Sequence, residues 1–308
     1  MAQEIQTSTL ITNGGLVSEV LSDLILQQLF DPTDLSALMT RVPWSPMGSD
    51  TLRVTQDAVP GAYTARNTEI DGSNIANSAY GTGKFDLIPA GYSRKYQLTD
   101  LIPTSGGPIQ VERVAANLVA GVALTLTDLL CALFPSLAND VGPGSGVALD
   151  VTSMYDAQFQ LNNNSVPGPF AAVLYPKQFN DFQASLRTEA GAVQFVPATA
   201  DLLALRGPGF KGTWNGVQIF QSDSVTAVNT NADSAGAMFG AGCFAYTLAD
   251  ARLAAGHIPP GLLYLANEAV VIEMARDQTN FMTSLIASIF PSVVEAEDLR
   301  GVEIISDR

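Results

Sequence analysis

Several short stretches of this chain carry side chains that could do chemistry, and each fails on spacing. Gly81-Thr82-Gly83-Lys84 has the look of the end of a phosphate loop, where backbone N–H groups cradle phosphates and the lysine reaches the outer ones. Ser78 stands where the first glycine is required, and Phe85 replaces the Ser/Thr that would hold Mg²⁺. Gly236 to Gly242 (GAMFGAG) lacks the GxGxxG spacing that seats a dinucleotide pyrophosphate. His257 is the single histidine, in a loop before Pro259 and Pro260, so local sequence supports neither a Ser-His-Asp arrangement nor an HExxH zinc helix. Cys131 and Cys243 lie far apart without CxxC spacing and read as small apolar core residues in a reducing compartment. Asp71-Gly72-Ser73 has no second acid at readable spacing, while Glu295, Glu297 and Asp298 fall in a charged turn expected to face solvent. No catalytic residue, cofactor or metal site is expected, and the chain does not read as an enzyme.

Composition points toward surface rather than chemistry. Of 308 residues, 47% are hydrophobic and only 15% are charged, against roughly a quarter in typical soluble proteins. So few charges leave much neutral or apolar surface, which partners usually cover; another copy of the chain fits best. Thirty acidic residues against 15 basic ones give a formal net charge of −15. Tight binding to phosphate backbones rests on Lys and Arg releasing counterions, so this chain can stand near nucleic acid without adhering to it. The N-terminus lacks the basic start and unbroken apolar run of a signal peptide.

The elements that would position these residues are unequal in kind. Residues 16–30 place Leu16, Val17, Val20, Leu21, Leu24 and Ile25 on one helical face before Asp31-Pro32 stops the helix. That helix packs on its own domain or lies as an arm across a neighbour. Residues 49–103 are different: TLRVTQD (51–57) and GYSRKYQLT (91–99) alternate, FDLIP (85–89) is short and apolar, and a polar stretch at 65–83 separates them. Arg41, Arg53, Arg66, Lys84, Arg94 and Lys95 fall in or just before this stretch, with Arg113 just beyond. A long two-stranded excursion cannot bury itself alone, so it lies on its own domain or reaches another subunit.

Residues 108–138 read as one helix of about eight turns, roughly 45 Å long, far beyond the usual three turns. Its run from Val114 to Phe134 is long enough to span a bilayer, but Asn117, Asp128 and the absence of a Lys/Arg cluster beside it make it a buried helix with no membrane role. Thr104 or Ser105 can cap its start and Pro108 suits its first turn; the helix is expected to end before GPGSG at 142–146. Residues 147–266 read as an α/β unit. Asp150 caps a helix to Leu161, FAAVLY (170–175) is a strand buried on both faces, and Pro176 opens a helix with Phe179, Phe182 and Leu186 on one face. A short helix at 199–205 and strand-like GTWNGVQIFQSD and GAMFGAGCFAYTLAD follow. Residues 263–289 form two strand runs joined around Asp277 to Asn280, and VEIIS (302–306) is a last short strand. No repeat of solenoid period is present.

In this order (arm, β-excursion, long helix, α/β unit, returning strands) the chain resembles the major capsid protein of tailed bacteriophages, the α+β Hong Kong 97-type capsid fold. The likeness covers nearly the whole chain. AAVLYPKQFNDFQASL (171–186), GVQIFQSDSV (216–225) followed by GAMFGAGCFAYTLAD (236–250), and EMARDQTNFMTSLIASIFPSVVEAEDLRGVEIISD (273–307) carry it. The resemblance implies an N-terminal arm at 1–48 and an extended loop at 49–104 that overlaps an adjacent subunit. It further implies a peripheral domain of 105–140 with 267–308 and an axial domain of 141–266. It implies self-assembly into pentamers and hexamers of an icosahedral shell around double-stranded DNA bound without sequence specificity. A separate scaffolding protein, a portal, a place in the virion and assembly in the host cytoplasm belong to the same expectation. In some relatives a loop lysine is joined to an asparagine of the next subunit; Lys84 and Asn280 are the positions to compare, and neither sits in a diagnostic motif. The residues expected at contacts between copies are Leu21 and Leu24 of the arm and Arg53, Arg66, Lys84, Arg94 and Lys95 of the excursion, the basic ones facing acidic surface on a neighbour. An encapsulin-type compartment shell with protein cargo keeps the fold and changes the contents, and a soluble α/β enzyme is the reading from another class.

Overall fold

The computed structural model describes residues 35–44, 50–57, 82–99, 118, 122, 124–188, 195–207, 209–259, 262–266 and 269–308. The arm helix at 16–30 with Leu21 and Leu24, the loop tip with Arg66, and the helix start at 104–112 lie outside these. The first described strands are β1 (Thr40–Arg41), β2 (Leu52–Asp57), β3 (Thr82–Leu87) and β4 (Tyr92–Thr99). Helix α1 follows, described at Leu118, Val122 and 124–132, then β5 (Asp140–Val141), α2 (Val151–Asn163), β6 (Ala171–Leu174) and α3 (Pro176–Thr188). Next come β7 (Phe195–Pro197), α4 (Ala200–Arg206), β8 (Phe210–Trp214), β9 (Val217–Gln221), β10 (Ala227–Val228), β11 (Asp233–Phe239) and β12 (Phe244–Leu248). The chain closes with α5 (Ala251–Ala255), β13 (Leu263–Ala266), β14 (Val270–Asp277), β15 (Met282–Ile289), β16 (Pro291–Glu295) and β17 (Gly301–Asp307).

Local chemistry sets the helix ends. Asp150 is extended and its carboxylate accepts from the Ser153 N–H at 2.8 Å, which starts α2. Thr199 caps α4, and Gly207, with φ of 83°, ends it in a conformation that suits glycine. Phe179, Phe182 and Leu186 of α3 are buried on one face, as their spacing predicts. Helix α1 stops at 132, short of the expected 138, because Pro135 tightens the next residues into a 3-10 turn at Phe134–Ser136.

The largest sheet has eight strands: the order runs β5-β17-β11-β6-β9-β8-β7, with β10 paired to β11. Strand β6 is buried throughout and splits its residues between two cores. Ala172 and Leu174 face α2 and α3, packing with Met154, Leu161, Phe182 and Trp214. Ala171 and Val173 face the other way, into a core holding Leu118, Val122, Leu126 and Leu130 of α1. That second core also takes Phe244 and Tyr246 of the three-stranded sheet β1-β12-β16, and Val270, Ile272, Ala287 and Ile289 of the four-stranded sheet β13-β14-β15-β4. Helix α1 therefore shares one core with all three of these sheets. Its four buried leucine and valine side chains recur at intervals of four, the stripe that an α-helix needs for one continuous contact.

Three expectations change. Strand β4 was grouped with the excursion, but it pairs along its whole length with β15, from Tyr92 opposite Ile289 to Thr99 opposite Met282. Only β2 and β3 remain as a two-stranded ribbon. The stretch 263–289 holds three strands rather than two, since β13 folds back antiparallel on β14. The last strand, grouped with the peripheral elements of 267–308, lies instead inside the large sheet, parallel to β5 and antiparallel to β11. Its Val302 and Ile304 belong to the core with α2 and α3, which is why it is drawn there.

Candidate inter-subunit surface

The ribbon of β2 and β3 has two unlike faces. Leu52 lies opposite Leu87 and Val54 opposite Phe85; the alternate pairs are Arg53 with Asp86 and Thr55 with Lys84. Arg53 grips Asp86 bidentately, Nε to Oδ1 at 2.7 Å and the terminal nitrogen to Oδ2 at 2.8 Å. The guanidinium holds the Asp86 carboxyl below the usual range, chiefly through that hydrogen bond, and Lys84 adds a smaller Coulombic share. The Ile88 N–H donates to Ser292 Oγ and the Ala90 N–H to Pro291 O, which fixes the base of the ribbon to β16.

The basic residues singled out in the sequence do not form one patch. Arg53 and Lys84 share the polar ribbon face, and Arg53 is answered within its own chain. Arg94 and Lys95 sit on β4 and, as consecutive strand residues, point to opposite faces. Arg94 lies 5.3 Å from the centroid of the Tyr96 ring, a cation–π contact. Lys84, Arg94 and Lys95 are exposed. Asn280 is in the β14–β15 turn, where its amide donates to Asp277 at 2.7 Å.

Large apolar side chains at the surface add to this. Phe159 of α2 is 68% exposed, Phe281 of the β14–β15 turn 66% and Leu205 of α4 64%. Phe281 also has a φ of 51°, an uncommon region for a bulky residue. The sequence reading did not pick these out. Phe159 falls outside the helical stripe of Met154, Ala157 and Leu161, and that signal was there to find. A polar cleft of about 480 Å³ beside Phe159 is lined by Asp140, Ser145, Asp156 and Asn229.

The residues first considered for chemistry have structural places. Cys131 and Cys243 are buried; loss of solvent pushes the Cys131 thiol up to about 12 and Cys243 up as well, so both stay as unreactive thiols. His257 is exposed in a turn after α5. Glu295, Glu297 and Asp298, expected in solvent, are half-buried: Asp298 accepts from the Ala138 N–H at 2.8 Å, and Glu297 pairs with Arg300 at 2.8 Å. They pin the chain leaving α1. Among the described residues no three His, Cys, Asp or Glu side chains are grouped to hold a metal ion, and no helix is long and apolar enough to cross a membrane.

No protein-family model and no curated protein matches this chain. Solved structures do. The capsid of Ralstonia phage GP4 superposes with a TM-score of 0.65 at 9% identity, covering 89% of this chain and 88% of its own. The capsid of cyanophage P-SCSP1u gives 0.60 at 10% identity, with 87% and 86% covered. This chain has the Hong Kong 97-type capsid fold. The same fold is shared with an encapsulin complex of Synechococcus elongatus, at a TM-score of 0.55, 15% identity and coverage of 88% and 85%.

Proposed function

We propose that this protein is the major capsid protein of a tailed bacteriophage, building pentamers and hexamers of an icosahedral shell around double-stranded DNA. The observation that carries the reading is the end-to-end match to phage capsids, at TM-scores up to 0.65 with both chains covered by more than four-fifths. Surface and charge agree with it. The exposed Phe159, Leu205 and Phe281 want partners. A net charge of −15 lets packaged DNA slide rather than stick. On this reading the protein is structural, not enzymatic. It works with a separate scaffolding protein and a portal, and it belongs to the virion after assembly in the host cytoplasm.

The regional assignment follows with two changes, at β4 and at β17. Residues 1–48 serve as the arm, and 49 to about 90 as the loop over a neighbour. The peripheral domain joins 105–140 to β14–β16 and takes β4. The axial domain is 141–266 completed by β17. An encapsulin-type shell is the second reading, favoured by the match to the Synechococcus complex. Electron microscopy of the purified protein separates the readings: closed shells holding nucleic acid are expected, protein-filled shells point to the compartment, and a lasting monomer overturns both.

A further inference from the structure

The chain passes from α1 to the large sheet through residues 133–141; Phe134 packs on Phe239 and Phe244, and the hydrogen bonds of residues 138–139 go to the segment 295–303. The Ala138 N–H donates to Asp298, the Asn139 amide to Gly301 O at 3.3 Å, and the Glu303 N–H to Asn139 O at 2.7 Å. Strand β5 then runs parallel to β17, with Asp140 opposite Glu303. The side chains on this seam are mostly acids. Glu295 and Asp298 are close enough to repel, as are Glu303 and Asp140. Glu297 is paired with Arg300, the one cation beside them among the described residues, which also donates to Ala241 O at 2.9 Å. Among the described residues the buried Cys243 thiol is a further titratable neighbour. On the β11 side Glu303 faces Ala237, which carries no charge.

Both glutamates lie where a proton is favoured. Ser136 Oγ is 2.6 Å from Leu133 O and 3.2 Å from Glu295 Oε2. A serine hydroxyl has one proton to give. It is shared with the nearer Leu133 O, and its help to the Glu295 carboxylate is smaller than the opposing effects of burial and Asp298. Glu303 is only 6% exposed, and its carboxyl accepts no hydrogen bond from the described residues, an arrangement a neutral acid tolerates and an anion does not.

We propose that this joint is a proton-operated hinge: Glu295 and Glu303 hold protons while residues 136–141 are clasped to the C-terminal segment, and their ionisation releases the clasp so that α1 can shift against the large sheet. The device belongs to the single subunit; only its use, a change of subunit shape within a shell, rests on the proposed function. Burial first, and then the Asp140 charge, raise the Glu303 carboxyl from 4.5 to about 7; burial, then Asp298, raises Glu295. A folded-state pKa above the unfolded one means that the closed joint binds more protons than the open one. Its stability is therefore complete at acid pH and falls as pH rises through about 7.

Native-state hydrogen exchange of the full chain tests this, read at the Ala138 and Glu303 amides and corrected for the intrinsic pH dependence of exchange. Ile219 and Phe220, central in the large sheet, serve as reference. From about pH 6 to about pH 8 protection at the joint should fall about tenfold while the reference stays level. In the double variant Glu295→Gln, Glu303→Gln the joint should stay protected across the same range. A wild-type joint indifferent to pH, or a double variant that loses protection as the wild type does, overturns the hinge. Failure to form shells leaves this readout intact and counts only against the proposed function.

Discussion

Gln178 is the polar residue on which most of the large sheet converges. It is fully buried in the first turn of α3, where its amide nitrogen donates to Ser234 O at 2.8 Å, Ser306 Oγ at 2.9 Å and Ile304 O at 3.2 Å. Its oxygen accepts from the Tyr175 N–H at 3.0 Å. One side chain thus ties β6, α3, β11 and β17. Gly236 leaves it room, because a Cβ there would sit 2.8 Å from the amide oxygen and 2.9 Å from Val173 O. Gln178→Ala strands several buried polar groups and should cost about 3 kcal/mol in urea denaturation; a loss below about 0.5 kcal/mol would show that water replaces the amide. Nothing in the sequence marked this residue. The acceptors of its amide nitrogen lie 56 to 128 positions away, so its burial depends on a topology that local spacing does not encode. Phe179 and Phe182 beside it were legible, because helical spacing alone puts them on the core face.

At the scale of elements, periodic segments were read well and pairings poorly. The helices α2, α3 and α4 start at caps or prolines visible in the sequence. That β4 departs from the ribbon to pair with β15 was not visible, since an alternating strand states which faces it has and not which strand it will meet. The ribbon shows the same limit at its polar face. Arg53 was expected to seek an acidic neighbour and is satisfied by Asp86 across the ribbon. Lys84 remains available on that face, with Arg66 as its companion in the sequence. Lys84→Glu and Arg66→Glu should slow shell formation, followed by light scattering, while the melting temperature of the unassembled subunit changes little. Equal losses in both measurements would remove the ribbon from the list of contacts. An exposed ion pair such as Arg53–Asp86 adds little to stability but can set where a surface meets its partner.

For the whole molecule, the charge balance governs how copies meet. Subunits at −15 repel at long range, and that repulsion is screened within a Debye length of about 10 Å at 0.1 M salt. Raising the salt should therefore speed association of purified subunits, measured as a shorter lag before shells appear; slower assembly at higher salt would mean that attractive charge pairs dominate the contacts. The position of β17 has an effect of another kind. It sits between β5 and β11, yet it emerges from the ribosome more than sixty residues after β11. During translation the partly made chain holds β11 with one edge open, and the largest sheet cannot close until Asp307 has cleared the exit tunnel. Pairing across that separation makes closure of the sheet a late, non-local step of folding.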